Sequence, residues 1–168
     1  MARVINSVLE SLDAGPADLT ITQAAAGGDL LFLEACLARA VPCQVMLPFD
    51  ESQYIERSIL PSIHGRQWLL RYEAIRPRLI GPPLVLDDHE ADATDHDNEP
   101  PVNAYERCND WMLATALRTP ARDLQLVCVW DGESGDGPGG TSHLIEAVNR
   151  AGGRIHRIDI TALPDQIE

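Results

Sequence analysis

Short apolar segments alternate with helical patterns along most of the chain, and this alternation constrains the fold more than any other feature. Apolar runs bounded by turn residues predict strands over 19–22, 43–49, 83–87, 124–131 and 154–160. Helical spacing of apolar residues predicts helices over 2–13, 29–40, 52–59, 66–75, 102–118 and 142–150. Because helices between strands serve as crossover connections, the strands are expected to pair in parallel.

The predicted fold is therefore a single α/β domain over residues 1–168, with three α/β/α layers around a mostly parallel sheet. Sheets of this kind usually begin with a strand, whereas this sequence begins with a helical pattern at 2–13. Either an upstream region supplies the usual first strand, or the sheet is a reduced version with four or five strands. An edge exposed by such a loss would favour pairing with another copy, which predicts a homodimer.

Composition excludes several classes of partner. The 168 residues are 45% apolar, enough for one substantial core, and carry a formal charge of −13. That charge argues against nucleic acid and anionic membranes as partners. No apolar run has the length of a membrane span or a signal peptide, so we expect a cytoplasmic protein. The scattered Cys36, Cys43, Cys108 and Cys128 lack CxxC spacing and are predicted to be buried, reduced thiols.

An acidic segment at about 87–101 is predicted to be a flexible loop. His89 and His96 lie among seven acidic residues, which raises the alternative of a metal site. The spacing matches neither a helical HxxxH pair nor a calcium-binding loop. We therefore expect no metal there, and no cofactor elsewhere in the chain.

The first glycine cluster, "AAAGGD", joins a predicted strand to a predicted helix. A helix start offers free N–H groups and a favourable dipole to an anion, and Gly27 and Gly28 would let a ligand approach the backbone. Asp29 is predicted to cap the helix, and its carboxylate would compete with phosphate or accept ribose hydroxyls. The alternative is that the glycines only allow close packing of the helix on the sheet.

The second cluster, "GDGPGGTSH", follows the strand "LQLVCVWD" and precedes the helix at 142–150. Its glycines could present consecutive amides to a phosphate or ribose, and hydroxyl groups follow at the helix start. It is neither a lysine-containing P-loop nor a GxGxxG fingerprint in the first βα position. The alternative is a disordered acidic turn. The candidate ligand-binding residues are Asp131, Gly137, Gly139, Gly140, Thr141 and Ser142.

Three segments together resemble the SLOG-type, Rossmann-like domains of bacterial signalling and defence proteins. They are "AAAGGDLLFLEACLARAVPCQVMLPF", "NAYERCNDWML" and "LVCVWDGESGDGPGGTSHLIEAVNRAGG", and the likeness extends over about residues 19–160. The resemblance implies a Rossmann-like fold that binds a nucleotide or a nucleotide derivative. It also implies a sensor that works with a separate effector domain.

The chain is more distantly similar to the lysine-decarboxylase-like phosphoribohydrolases, which carry a PGGxGTxxE motif. Pro138, Gly139, Gly140 and Glu146 match that motif in spacing. Ser142 and His143 replace its glycine-threonine pair, which removes part of the phosphate cradle. This departure puts hydrolysis of the N-glycosidic bond in doubt.

If the protein is an enzyme, Glu34 and Glu146 are the candidate catalysts. Glycosidic cleavage needs a carboxylate to stabilise an oxocarbenium-like centre or to activate water. Glu34 lies in an otherwise apolar helical stretch, where a charge needs a partner or a pocket. Tyr105 and Asn109, one helical turn apart, could stack on a base and hydrogen-bond to it, although both residue types are as often found in packing or at the surface.

Three hypotheses remain open on the sequence. The first is a sensor that binds a nucleotide-type ligand between the Gly27-Gly28 turn and the loop containing Gly137, Gly139 and Gly140. The second is a hydrolase of nucleoside monophosphates. The third is a dimerisation module without a ligand.

Overall fold

The computed structural model describes residues 1–86, 104–120, 123–130, 140–159 and 161. Its strands are β1 (Thr20–Thr22), β2 (Cys43–Leu47), β3 (Leu84–Val85), β4 (Gln125–Trp130) and β5 (Arg154–Asp159). Its α-helices are α1 (Ala2–Ser11), α2 (Gly28–Ala38), α3 (Glu51–Tyr54), α4 (Gly65–Ile75), α5 (Ala104–Arg118) and α6 (Thr141–Arg150). A π-helix (Ile55–Ile59) continues α3, and a 3₁₀ turn (Arg76–Arg78) follows α4.

The strands pair in parallel, as the alternation predicts. β2 lies between β1 and β3, with Thr20 opposite Cys43 and Met46 opposite Leu84. β4 and β5 pair along six residues, from Gln125 opposite Arg154 to Trp130 opposite Asp159. The α/β class is thus confirmed, whereas the three-layer arrangement stays a prediction.

The strands form two sheets, β1-β2-β3 and β4-β5, and not the single sheet that we expect from the sequence. Residues of β1 and β4 line the same cavities, so the two strands lie beside a gap. β1 has three residues and can contribute few ladder hydrogen bonds. Apolar residues such as Ile21 and Leu126 line the gap between the sheets.

α2 lies at the centre of the molecule because its apolar side chains are buried on several sides. Leu30, Leu33 and Cys36 are fully buried, and α2 packs on α1, α4 and β1. α1 contributes Ile5 and Leu9, which are one turn apart and buried. The same core continues to Ile158 on β5. All four cysteines are free and buried, as predicted.

The start of α4 fixes the segment that carries the π-helix. A Cβ on Gly65 would clash with the carbonyl group of Leu60, the residue that follows the π-helix. Glycine is therefore required at this position for close approach of two backbone segments. Through this contact, the start of α4 packs against the end of the π-helix that contains Ser58.

We expect Gly65→Ala to lower the free energy of unfolding by about 2 kcal/mol or more, because the new methyl group meets backbone and not a movable side chain. Gly81→Ala is the matched control, since its Cβ would lie 3.9 Å from Oε1 of Gln44, an ordinary contact. Urea denaturation of both variants measures the difference. Equal stability of the two variants would show that the Leu60 turn adapts.

Candidate functional site

A cavity of about 450 Å³ lies between β1 and β4 and extends to the starts of α2 and α6. Apolar residues form much of its wall, with polar side chains at the carboxyl ends of the strands. The polar residues at that end are Thr22, Gln23, Asp29, Ser58, Tyr105, Asn109 and Thr141. A mostly apolar pocket with a few converging polar groups is typical of small-molecule sites.

The position of this cavity follows from the parallel βα connections. β1 leads through the first glycine cluster into α2, and β4 leads into α6. In open α/β sheets, ligands bind beyond the carboxyl ends of the strands, where such loops meet. Gly28 and Gly140, one from each glycine cluster, both line this cavity.

The two glycines of the first cluster have distinct structural roles. Gly27 precedes α2 with a φ of 98°, a conformation that side chains other than glycine rarely adopt. A Cβ on Gly28 would lie 3.2 Å from Cγ2 of Val129 on β4, which is tighter than ordinary contact. The close packing considered as the alternative for this cluster therefore applies to Gly28, even though Gly28 also borders the cavity.

Asp29 lies in the first turn of α2, and the cap position belongs to Gly27, so the prediction that Asp29 caps the helix is wrong. Its Oδ2 accepts a hydrogen bond from the backbone N–H of Ala25 at 3.1 Å, and the Thr22 side chain also hydrogen-bonds to it. The carboxylate thus bonds back to the turn that precedes the helix. That turn includes Ala24, which has a φ of 70°.

The environment of Asp29 opposes its ionisation. The residue is half-buried, with the cavity on one side and protein on the others. Desolvation raises the pKa of this carboxyl above its ordinary value, and the hydrogen bonds from Ala25 and Thr22 partly offset that rise. In the described lining of the cavity, Asp29 is the one ionisable carboxyl group.

A chain of hydroxyl groups forms another part of the cavity wall. Ser58 Oγ and the Tyr105 hydroxyl are 2.8 Å apart, and the Tyr54 hydroxyl also hydrogen-bonds to Ser58. Burial, followed by the nearby charge of Asp29, raises the pKa of Tyr54 well above its ordinary value. The backbone N–H of Ala26 donates to the Ser58 carbonyl at 3.2 Å, so the glycine turn and the π-helix are joined.

An amide pair lies beside these hydroxyls. Gln23 Nε2 donates to Asn109 Oδ1 at 2.8 Å, connecting the end of β1 to α5. Both residues line the cavity. This bond orients the Gln23 amide at the cavity wall, where it could exchange hydrogen bonds with a ligand.

The start of α6 differs from the start of α2 in its charge. The first turn of α2 contains Asp29, whereas the first turn of α6 contains no acidic residue. Gly140 caps α6 in an extended conformation without a side-chain cap bond, and Thr141 and Leu144 line the cavity. An anion is therefore better accommodated at α6, because the first turn of this helix carries no carboxylate of its own; Glu106 of α5 lies 3.4 Å from Nε2 of His143 in that turn.

The two candidate catalytic glutamates do not line this cavity. Glu34 forms a bidentate ion pair with Arg71, with Nε–Oε1 and Nη2–Oε2 distances of 2.8 and 2.9 Å. Glu146 lies on α6 with its side chain in solvent. The apolar stretch around Glu34 indicates a need for a partner, and Arg71 on α4 is that partner.

Of the candidate ligand-binding residues, the structure brings Gly28, Asp29, Tyr105, Asn109, Gly140 and Thr141 together around one cavity. Gly27 and Ser142 are each next in sequence to a lining residue but do not themselves line the cavity. Asp131, Gly137 and Gly139 lie outside the described residues. The acidic segment at 87–101 also lies outside them, so the expectation that it binds no metal stays a prediction. Elsewhere, in the described ranges, no group of three or more His, Cys, Asp or Glu residues could hold a metal ion.

Sequence reasoning missed six polar residues of the wall: Thr20, Thr22, Gln23, Tyr54, Ser58 and Gln125. Thr22 and Gln23 follow directly from the rule that the ends of parallel strands face a ligand, so the end of β1 was a usable signal. Tyr54 and Ser58 had no such signal, because a π-helix leaves no recognisable pattern in sequence.

Comparison with protein-family models, curated proteins and solved structures finds none that matches this chain. Among the helices of the described ranges, none combines the length and the apolar character that a membrane crossing requires.

Asp29→Asn should change the pH dependence of stability in a defined direction. Because the pKa of Asp29 is raised on folding, its stabilising contribution is complete at low pH and is lost as the pH rises from about 3.8 through the folded pKa. The asparagine variant has no ionisable group at this position, so its stability does not fall with pH for this reason. Its free energy of unfolding, relative to that of the native chain, is therefore expected to increase between pH 3.5 and pH 7.

Urea denaturation at both pH values provides the measurement. Thr141→Asn is a suitable control, since it alters the cavity wall without removing a titrating group. A constant stability difference between Asp29→Asn and the native chain across this range would show that folding does not raise the pKa of Asp29.

Proposed function

We propose that this chain binds a nucleotide or a nucleotide derivative in the cavity between β1 and β4, and that it acts as a sensor and not as an enzyme. The observation that carries the proposal is the convergence of two strand ends and two helix starts, one from each glycine cluster, on one cavity. The volume of about 450 Å³ lies within the range common for small-molecule sites.

The distribution of polar groups supports one orientation of the ligand. The phosphate would lie at the start of α6, near Gly140 and Thr141, because Asp29 disfavours an anion at α2. The base would lie toward Tyr105 and the Gln23–Asn109 amide pair. A ribose hydroxyl would then donate to Asp29.

The described wall contains no lysine or arginine, so backbone N–H groups would carry most of the phosphate recognition. Recognition by neutral donors is weaker than recognition by a guanidinium or an ammonium group. Affinity is therefore expected to depend only modestly on ionic strength, in contrast to sites built on basic side chains.

A sensor is favoured over a hydrolase because the part of the site that the structure describes has too few carboxylates. Canonical glycoside hydrolysis uses two carboxyl groups that flank the scissile bond. Asp29 is one such group in the described lining, while Glu34 is ion-paired with Arg71 and Glu146 points to solvent. The resemblance to SLOG-type domains supports the same role, a ligand-binding module of a bacterial signalling or defence system.

Charge at the first residue of α6 tests the position of the phosphate. Thr141→Glu should weaken binding of a nucleoside monophosphate at least 10-fold, because a carboxylate would repel the phosphate. The same change favours the helix, since an acidic residue in the first turn complements the dipole. Calorimetric titration with adenosine, AMP, ADP and their guanosine counterparts gives the affinities.

Thr141→Gln is the matched control, because it has nearly the same size as the glutamate variant without its charge. It should keep its affinity within a few-fold of the native chain. Unchanged nucleotide binding by Thr141→Glu would exclude the phosphate from α6. Absence of binding by the native chain to the entire panel would contradict the nucleotide proposal itself.

Catalysis is tested by release of free base from the same nucleoside monophosphates. We expect no turnover by the native chain, and no difference in Glu34→Gln or Glu146→Gln, because neither side chain reaches the cavity. Base release measured by chromatography, and abolished in Asp29→Asn, would instead favour the hydrolase. That result would assign the catalytic role to a residue that the motif comparison did not nominate.

A further inference from the structure

The outward face of α4 and the turn before it carry the two most exposed large apolar side chains of the described chain. Ile63 is 84% exposed and Leu70 is 66% exposed. Ile63 lies in the turn before α4, and the Trp68 indole N–H donates to its carbonyl at 3.2 Å, which holds that turn against the helix. The opposite face of α4 buries Tyr72 and Ile75 in the core.

The exposed residues follow the spacing of a helix that packs against another helix. Gln67, Leu70 and Ala74 are all exposed and are separated by three and four residues, which places them in a single row along one side of α4, as in the seam of two packed helices. Ile63 is exposed beside the start of this row, in the turn that the left-handed His64 joins to the helix. Scattered exposed apolar residues are common in proteins, whereas exposed apolar residues grouped on one face mark an interaction site.

Charges beside this row are complementary to one another under a two-fold rotation. Arg66 and Glu73 are seven residues apart, both are exposed, and neither forms an ion pair with a described residue. In an antiparallel pair of α4 helices, Arg66 of one chain would face Glu73 of the other, and the contact would form twice. Arg71, by contrast, is already paired with Glu34.

We propose that this face of α4 binds a second copy of the chain, with the two helices antiparallel about a two-fold axis near Leu70. The α4 interface is defined by Ile63, Arg66, Gln67, Leu70, Glu73 and Ala74. A self-complementary arrangement of charges favours a second copy over an unrelated partner, because only the same sequence is certain to provide both charges at the required spacing.

The size of the α4 interface determines how tightly the two copies are expected to bind. An α-helix of 11 residues is about 16 Å long. A contact between two such helices falls at the small end of specific interfaces, below about 1,200 Å² in total. The dimer is therefore expected to be weak, with a dissociation constant on the order of micromolar or higher.

Sedimentation velocity of the full chain, at concentrations from about 1 to about 500 µM, tests the proposal by the mass-action dependence of the oligomer. The native chain should shift from monomer to dimer over this range. Leu70→Glu should weaken the dimer at least 10-fold. Leu117→Glu, at a leucine on α5 that is 55% exposed, is the matched control and should leave the dimer unchanged.

Charge exchange tests the antiparallel geometry separately from apolar contact. Arg66→Glu and Glu73→Arg should each weaken the dimer, because each places like charges opposite one another. The double variant should restore it, because the pair is rebuilt with its charges exchanged. Thermal unfolding of each variant verifies that the fold is intact.

Two results would overturn the proposal. A chain that stays monomeric over the full concentration range has no such interface. A dimer that persists unchanged in Leu70→Glu must use another surface, such as the exposed strand β3. Restoration by the double variant, together with loss in each single variant, would support it.

Discussion

The candidate site depends on the close approach of α2 to β4. Gly28 lies so near Val129 that a single methyl group would bring the two into tight contact. This packing matters because β1 and β4 are not paired by ladder hydrogen bonds, so helix packing must hold the two sheets at a fixed separation. α5 supports the same arrangement, since it packs on β1, β2 and α6. The cavity is the space left between sheets that helices hold together.

The two helix starts at this cavity are chemically different, although each follows a glycine cluster. At α2, Asp29 bonds to the preceding turn and contributes a carboxyl group to the wall. At α6, the first turn has no acidic residue. A ligand with one anionic end and one end rich in hydrogen-bond donors fits this asymmetry, because each end meets its complement. Tyr54, Ser58 and Tyr105, whose hydroxyls are hydrogen-bonded to one another, line the same cavity.

Much of the candidate site could be predicted, because the ends of parallel strands have a known geometry. Gly28 and Asp29 follow β1, Gly140 and Thr141 lie at the start of α6, and the helical spacing of Tyr105 and Asn109 places them on one side of α5. Glu34 was nominated because its helix is otherwise apolar, yet Arg71 from a helix 37 positions later pairs with it. Ser58 could not be found, since its place on the wall depends on a π-helix.

By itself, the sequence determined the order of the strands and helices and their parallel pairing, because both depend on local periodicity and on the length of the connections. Five strands and the major helices lie where that periodicity places them. Only the tertiary structure decided that the strands divide into two sheets, that Gly28 serves packing, and that Glu34 is paired outside the cavity. These features depend on contacts between segments distant in the chain, and local patterns do not specify which side chains will meet across such distances.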